Sequence, residues 1–388
     1  MKKILINTVT VSENGVSIPW LLKFKEFQRL GYEISFNFGS FIKSVKRPIQ
    51  NVYFFNKRIK GLKEISAGRF SKVGFIFYAL KRNFVALRNI KDVCGKYEIV
   101  YSPSSVLDLV IYPFILKKMD KKIVWVTVLD NLVPITDPGN KIIRFLAWLF
   151  FQISILLVKS ADHVFVISED LKNYLIKRGF GKEKITVTGN GIETQLIKKA
   201  KINPKYSFDA LFIGRINETK GIYDMLKVLS LVVKKYPDFQ LAIMGNGDVV
   251  TEAKFKKKIE AMGLKRNVKF LGFIVGQKKY DIIKSSKTFW FLSKSKSESF
   301  GVALLEVVCL GKKAFAYNLP PYRNIYKNNE VFVFEKNDFQ AVAKAVLETF
   351  KNRNFKNPKG IKLLDKYSWE KIAQAEADAF SNCRLFRL

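Results

Sequence analysis

Short apolar runs alternate along this chain with stretches of helical spacing. Ile4–Val9 reads as a strand, followed by a loop around Asn14-Gly15. Leu21–Leu30 carries apolar residues at helical spacing and stops at Gly31, and Tyr32–Phe38 reads as the next strand. Further strands are expected at Ile99–Ser102, Lys122–Val128 and His163–Ser168. A second series begins near Asp209. ALFIG (Ala210–Gly214) reads as a strand ending in Gly, Ile222–Lys234 as an amphipathic helix, and LAIMG (Leu241–Gly245) as a strand running into the turn Asn246-Gly247-Asp248. VKFLGFI and TFWFLS (Thr288–Ser293) read as strands, and Val302–Cys309 as a helix. Strands that alternate with helices predict parallel sheets covered on both faces. We therefore expect an α/β protein of two doubly wound domains facing a central cleft, with a ligand at the carboxyl ends of the strands. The boundary is expected between Gly189 and Tyr206.

One segment departs from the alternation. Residues 142–158 (IIRFLAWLFFQISILLV) are the most apolar run, interrupted by Arg144 and Gln152. At the lower limit for crossing a bilayer, the run is expected to be a buried helix preceding the strand at His163. An interfacial helix and a true span are the alternatives.

Composition narrows the class. With 388 residues, 48% of them apolar and 26% charged, the chain can bury two or three cores and is not disordered. Cys94, Cys309 and Cys383 are far apart and form neither a disulfide framework nor a zinc pattern, which fits a reducing compartment. A single His, His163, excludes chemistry that needs two, and its place in ADHVFVIS suggests a packed role. The start MKKILINTVTV is expected to be the first strand of a domain and not a signal peptide.

Charge adds a partner. Lys and Arg number 68 against 33 acids, a net charge of +35, and residues 1–91 hold 18 of the cations with only 4 acids. In residues 57–91, Phe70, Phe75, Phe77, Tyr78 and Phe84 interleave with Lys and Arg. Such a field attracts nucleic acid, anionic lipid or phosphorylated substrates, unless it merely reflects a Lys-rich proteome.

Candidate chemistry sits in two loops of the second half. FIGRINETKGIYDML puts Gly214 and Arg215 at a strand end and Lys220-Gly221 before a helix. A guanidinium and an ammonium on one loop can clamp a diphosphate, although Lys and Arg in so basic a chain are commonly only solvated. ESFGVALLE puts Glu298 at a loop end, Gly301 at a helix start and Glu306 further along that helix. Backbone N–H groups at Ser299–Val302 would point at an anion there. A buried carboxylate at Glu306 could accept hydrogen bonds from a vicinal diol such as a ribose. The plainer alternatives are helix capping for Glu298 and a surface helix position for Glu306.

In this order, strand-G-R-x4-K-G, the MGNGD turn, FLGF and S-K-S-x-S-E-S-F-G-x4-E resemble the carboxy-terminal half of glycosyltransferase family 4, of the two-domain GT-B fold. The resemblance covers residues 185–375 well. It extends loosely into the first half through FVISEDLKNYLIKRG and the GNGIE turn at Gly189–Glu193. It implies two Rossmann-like domains, 1–195 for the acceptor and 196–365 for a nucleotide sugar, with 366–388, including YSWEKIAQA, packing back towards the first. Arg215 and Lys220 would then hold the donor diphosphate, and Glu306 the ribose hydroxyls. Glu298 and the backbone of Ser299, Phe300 and Gly301 would hold the donor sugar and distal phosphate. The Gly245–Asp248 turn and Gly272–Phe273 would lie near the nucleobase, and Gly15 would face the donor from the first domain.

The resemblance also implies a retaining, metal-independent enzyme with no cofactor beyond a UDP- or GDP-linked donor. If the leaving diphosphate takes the acceptor proton, no His base is needed and charge stabilisation dominates. Double displacement through Glu298 is the alternative. Three departures stand out. Leu129-Asp130 replaces a common His-Asp, leaving Asp130 as an acceptor-side candidate. Gly15 stands where a Gly pair is common, and NLPPYRN replaces a Gly-rich turn ending in Glu. The expected acceptor is a lipid-linked or oligosaccharide molecule in bacterial surface polysaccharide synthesis. The expected location is cytoplasmic, peripheral on the anionic inner face of the cell membrane, since each basic group near such a surface contributes about 1 kcal/mol. No nucleic acid partner is expected, although a non-catalytic polyanion- or nucleic-acid-binding protein is the rival reading. A nucleotide-sugar epimerase would call for an opening G-x-G-x-x-G, which the chain lacks.

Overall fold

The structure is a computed structural model that describes residues 2–8, 18–37, 53–54, 83–84, 86–88, 90–136 and 140–383. Gly15 and most of the basic, aromatic-rich stretch 57–91 lie outside the described residues. The chain divides into two compact units, Met1–Gly191 with Trp369–Leu388, and Ile192–Ser368.

Unit 1 is built on a parallel sheet of β1 (Lys3–Ile6), β2 (Glu33–Phe36), β3 (Tyr53–Phe54), β4 (Ile99–Ser102), β5 (Val124–Leu129), β6 (His163–Val166) and β7 (Ile185–Val187), in the order β3-β2-β1-β4-β5-β6-β7. Its helices include α1 (Ile18–Arg29), α2 (Leu107–Met119), α3 (Lys141–Val158) and α4 (Glu169–Lys177). Every residue of β5 is buried, as expected for a parallel strand covered on both faces. The helix Trp369–Asn382 belongs to this unit. It buries Trp369, Ile372, Ala373, Ala377 and Phe380, the last against Phe27, Tyr32 and Phe165 with ring centroids 5.4–5.8 Å apart. Glu376 on the same face is 1% exposed and accepts from Lys23 Nζ on α1 at 2.9 Å and from the Tyr101 hydroxyl on β4 at 2.7 Å. A buried ion pair of this kind adds little net stability, but loss of one partner costs about 3–5 kcal/mol.

Unit 2 repeats the plan. Its parallel sheet holds β8 (Ala210–Ile213), β9 (Leu241–Met244), β10 (Val268–Gly272), β11 (Thr288–Phe291), β12 (Lys313–Tyr317) and β13 (Phe332–Phe334), in the order β10-β9-β8-β11-β12-β13. The helices used below are α5 (Ile222–Val232), α6 (Val249–Ala261), α7 (Gln277–Ser285), α8 (Val302–Cys309), α9 (Pro320–Ile325) and α10 (Phe339–Lys351). Helix α5 buries Ile222, Met225, Leu226, Leu229 and Val232 at helical spacing, in one core with Phe212, Ile243, Trp290 and Phe315 of the sheet. Each such side chain contributes about 1.5–3 kcal/mol on burial. In both units the order runs outward one way from the first strand and then reverses. The reversal falls between β1 and β4 in unit 1 and between β8 and β11 in unit 2, opening a crevice at the carboxyl ends there.

Helix α3 corrects one expectation. The apolar run is a helix, but it is not buried: only Phe151, Ser154, Ile155 and Val158 are covered. Ile142 is 71% and Leu156 63% exposed. Arg144, Gln152 and Ser154 are the only polar residues of the run 142–158 and do not form a continuous polar face, so the sequence does not reveal that one side meets solvent.

Candidate functional site

The crevice of unit 2 collects the loop residues singled out in the sequence. Gly214 and Arg215 follow β8, and Lys220 ends a short 3-10 turn before α5. Ser293–Glu298 follow β11, on the other side of the switch point. The two loops are stitched together, for Lys294 N–H donates to the Thr219 carbonyl at 2.8 Å. Lys220 Nζ meets Glu298 Oε2 at 2.5 Å and lies 5.6 Å from the centre of the Phe291 ring. Arg215 is exposed and forms no ion pair among the described residues. One cation is thus held by a carboxylate while the other is open to an anion.

Glycines set how closely the backbones approach. Gly245, at the end of β9, has φ +139°, and a Cβ there would overlap the Gly214 carbonyl oxygen. Its N–H donates to the Gly272 carbonyl at 2.8 Å, while Gly214 N–H donates to Met244 at 3.0 Å. The ends of β8, β9 and β10 are joined in this way. Beside them opens a pocket of about 380 Å³ lined by Ile213, Gly214, Arg215, Gly245, Asn246, Phe273 and Lys279. Phe273 in this lining is 75% exposed, so one face of its ring is accessible.

Helix α8 brings the second anchor. Gly301 is its N-cap, left-handed at φ +73°, and the N–H groups of the first turn have no partner within a helix. Glu306 is the fifth residue of α8 and is buried, not a surface position. It accepts from Lys279 Nζ at 2.7 Å and from the Tyr280 hydroxyl at 2.8 Å, both on α7. Burial, with the Glu306 charge alongside, pushes the Tyr280 hydroxyl far above its ordinary range. Glu193 completes the cluster: burial raises its carboxyl above the usual range, Lys279 opposes the rise and Glu306 adds to it.

Several predicted residues are placed differently from the rest. Phe300 is 2% exposed with its ring against Tyr367, so only its backbone faces the loop. Asp248 is exposed and caps α6, accepting from the Thr251 N–H at 2.9 Å and hydroxyl at 2.6 Å; those bonds lower its carboxyl below the usual range. It does not line the pocket, whereas Gly245 does. Asp130 belongs to unit 1, at the carboxyl end of β5. It accepts from Ser104 Oγ at 3.0 Å, and burial raises its carboxyl against the lowering by that bond. Gly15 lies outside the described residues.

Sequence reasoning missed Lys279, Tyr280 and Tyr322. Nothing in QKKYD sets Lys279 apart from 67 other cations until α7 places it beside Glu306. The NLPPYRN stretch forms α9, and the buried Tyr322 ring packs against Gly301, where an added Cβ would lie 3.0 Å from the ring. Its hydroxyl has no hydrogen-bond partner among the described residues. No group of three or more His, Cys, Asp or Glu that could hold a metal occurs among the described residues.

Known proteins share both the sequence pattern and the architecture. The family described as glycosyl transferases group 1 matches residues 193–362, and glycosyltransferase family 4 matches residues 48–196. The phosphatidyl-myo-inositol mannosyltransferase of Mycobacterium tuberculosis is 29% identical over 179 residues, 44% of this chain and 46% of that protein. The poly(glycerol-phosphate) alpha-glucosyltransferase of Bacillus subtilis is 26% identical over 213 residues, 53% of this chain and 31% of that protein. The chain spans about half the length, or less, of these curated relatives. In fold, it matches Anabaena HepE in complex with UDP and glucose at a TM-score of 0.72 and 15% identity, over 98% of this chain and 100% of that one. Sucrose-phosphate synthase from Thermosynechococcus elongatus matches at a TM-score of 0.74 and 14% identity, over 98% and 99%. With both halves matched and both units built to the same plan, the chain belongs to glycosyltransferase family 4, of the GT-B fold.

Proposed function

We propose that the protein transfers a sugar, with retention of anomeric configuration, from a UDP- or GDP-linked donor to a lipid-linked or oligosaccharide acceptor in bacterial surface polysaccharide synthesis. The observation that carries this reading is the Lys220–Glu298 ion pair, which joins the connection after β8 to the segment leading into α8 at the switch point of one sheet. Arg215 and Lys220 both lie on that connection between β8 and α5, and Arg215 is exposed. The solved structure with UDP and glucose supports a nucleotide-sugar donor by fold likeness.

Each group then has a task. Arg215 grips diphosphate oxygens through its planar fork, and Lys220 adds a compact charge. Together with the first-turn N–H groups of α8 they stabilise the negative charge that grows on the departing nucleoside diphosphate. Glu298 neutralises Lys220 and would turn to the donor sugar once the diphosphate takes over that cation. Glu306, fixed by Lys279 and Tyr280, presents an acceptor to ribose hydroxyls, and the Phe273 ring offers a face to the base. The leaving phosphate oxygen accepts the acceptor proton as the sugar–phosphate bond breaks, so no histidine base is called for, and Arg215 with Lys220 takes the charge-neutralising part that a divalent metal would otherwise play. Asp130 is the acceptor-side candidate of the first unit. Residues 1–195 are assigned the acceptor because unit 2 would hold the donor, and the excess charge of residues 1–91 supports a cytoplasmic position on the anionic inner membrane face.

Thermal melting with nucleotides tests the donor half of this reading. A ligand bound only by the native state at a hundred times its Kd stabilises by about 2.7 kcal/mol. UDP or GDP should raise the melting temperature while the matching nucleoside does not. A rise with single-stranded nucleic acid and with no nucleoside diphosphate would replace it with the polyanion-binding reading.

A further inference from the structure

Helix α3 presents an apolar face that the proposed chemistry does not use. Phe151, Ser154, Ile155 and Val158 hold it to unit 1, and the Ser154 hydroxyl donates to the Ser105 carbonyl. Ile142, Phe145, Leu149, Ile153 and Leu156 fall within about 80° of one another on the helical wheel, roughly opposite that buried face. Ile142 is 71%, Phe145 47%, Ile153 37% and Leu156 63% exposed. No residue from Lys141 to Phe150 is buried. At about 27 Å the helix has the length and hydropathy to cross a bilayer, but its inner face is part of the domain core, so it cannot leave the fold to do so. A helix held on one side and apolar on the other can lie flat in an interface.

Charge selects the occupant. Residues 138–161 contain no Asp or Glu, while Lys141, Arg144 and Lys159 lie on or beside the helix. Arg178 joins them, donating to Gln152 Oε1 at 2.6 Å. A second copy of the chain would bring the same cations against these, in a protein of net charge +35, whereas an anionic surface complements them. Trp148, whose ring pairs with that of Phe145 at 6.0 Å between centroids, is of the residue type that settles at lipid headgroups.

We propose that α3 lies in the plane of an anionic phospholipid surface, with Ile142, Phe145, Leu149, Ile153 and Leu156 among the upper acyl chains and Lys141, Lys159 and Arg178 at the phosphates. It rests on the reading of a membrane-borne acceptor and adds the element that inserts, separate from the basic stretch 57–91. The experiment uses the full chain with phosphatidylglycerol–phosphatidylcholine vesicles. The triple variant Ile142→Ser/Phe145→Ser/Leu156→Ser should bind these vesicles at least about tenfold more weakly than wild type. Wild-type binding should weaken with salt and be poor on pure phosphatidylcholine. A second readout needs no destabilising change. Among five tryptophans, the fluorescence lost in Trp148→Phe isolates the Trp148 signal, which should shift to the blue and be quenched by brominated lipid. Variant binding within twofold of wild type, or a Trp148 signal untouched by bound vesicles, overturns the proposal. So does a concentration-dependent dimer that the triple variant abolishes while vesicles stay unbound. The nucleotide-induced melting shift is read without vesicles, so failure of the donor reading shows there and failure of this one does not.

Discussion

Arg215 and Lys220 differ in what surrounds them, and that difference predicts different mutant behaviour. Arg215 is exposed with no ion pair among the described residues, so Arg215→Ala should leave folding intact. It should lower the rate of nucleoside diphosphate release from the donor by about 10²–10³-fold, the usual effect of removing one charge-stabilising donor. Lys220→Ala should lower the rate similarly but also strand Glu298, whose side chain is 11% exposed. The pair Lys220→Ala/Glu298→Gln should therefore recover thermal stability without recovering rate, a non-additivity that a double-mutant cycle measures. His163 supplies a pH prediction. It is 8% exposed on β6 with Nε2 at 2.8 Å from Thr186 Oγ1, and burial lowers its pKa from 6.5 to about 4. The unfolded chain thus binds the extra proton first as pH falls. Stability should drop between pH 6.5 and 4, by up to about 3 kcal/mol, and His163→Gln should flatten that part of the pH–melting curve.

At the scale of elements, glycine corners let the backbones of the candidate site approach one another. Gly221, at φ +75°, caps α5 where an added Cβ would overlap the Leu292 carbonyl, and Gly245 meets Gly214 in the same way. Gly245→Ala or Gly221→Ala should cost more than about 1 kcal/mol, since the residue must be strained as well as accommodated. Urea unfolding compared with Gly263→Ala is the check, because at Gly263 nothing lies within 4 Å of an added Cβ and only the φ strain remains. Gly214 and Gly245 were legible in the sequence because they follow four-residue apolar strands, as in ALFIG and LAIMG. The strands β7, β12 and β13 were not read. ITV and FVF are three residues long, and KAFAY carries two alanines of weak strand preference. Arg215, Lys220, Glu298 and Glu306 were found through motif order. Lys279, Tyr280 and Tyr322 come from elements whose sequences carry no signal, and only the packing of α7 and α9 beside α8 brings them to the site.

At the scale of the molecule, two units with one strand order each carry half of the proposed task, and the last helix belongs to the first unit. Glu376 ties that helix to α1 and β4 through Lys23 and Tyr101. Glu376→Ala leaves the Lys23 ammonium buried without its counter-charge and should destabilise unit 1 by about 3–5 kcal/mol, whereas Lys23→Met/Glu376→Leu should restore most of it. Denaturant unfolding followed in the presence of nucleoside diphosphate separates the two units, because only unit 2 should be protected by the ligand. In the proposed function the +35 charge would have two tasks of unequal size: two cations for the donor, and the basic stretch 57–91 with the rim of α3 for a surface. The central claim is sugar transfer from a nucleoside diphosphate donor held by Arg215 and Lys220. Its most direct test is the release of nucleoside diphosphate from a panel of UDP- and GDP-linked sugars by the wild-type protein and by Arg215→Ala. The account predicts release from at least one donor, lost about a hundredfold or more in the variant. No release from any donor, or release that Arg215→Ala leaves unchanged, would contradict it.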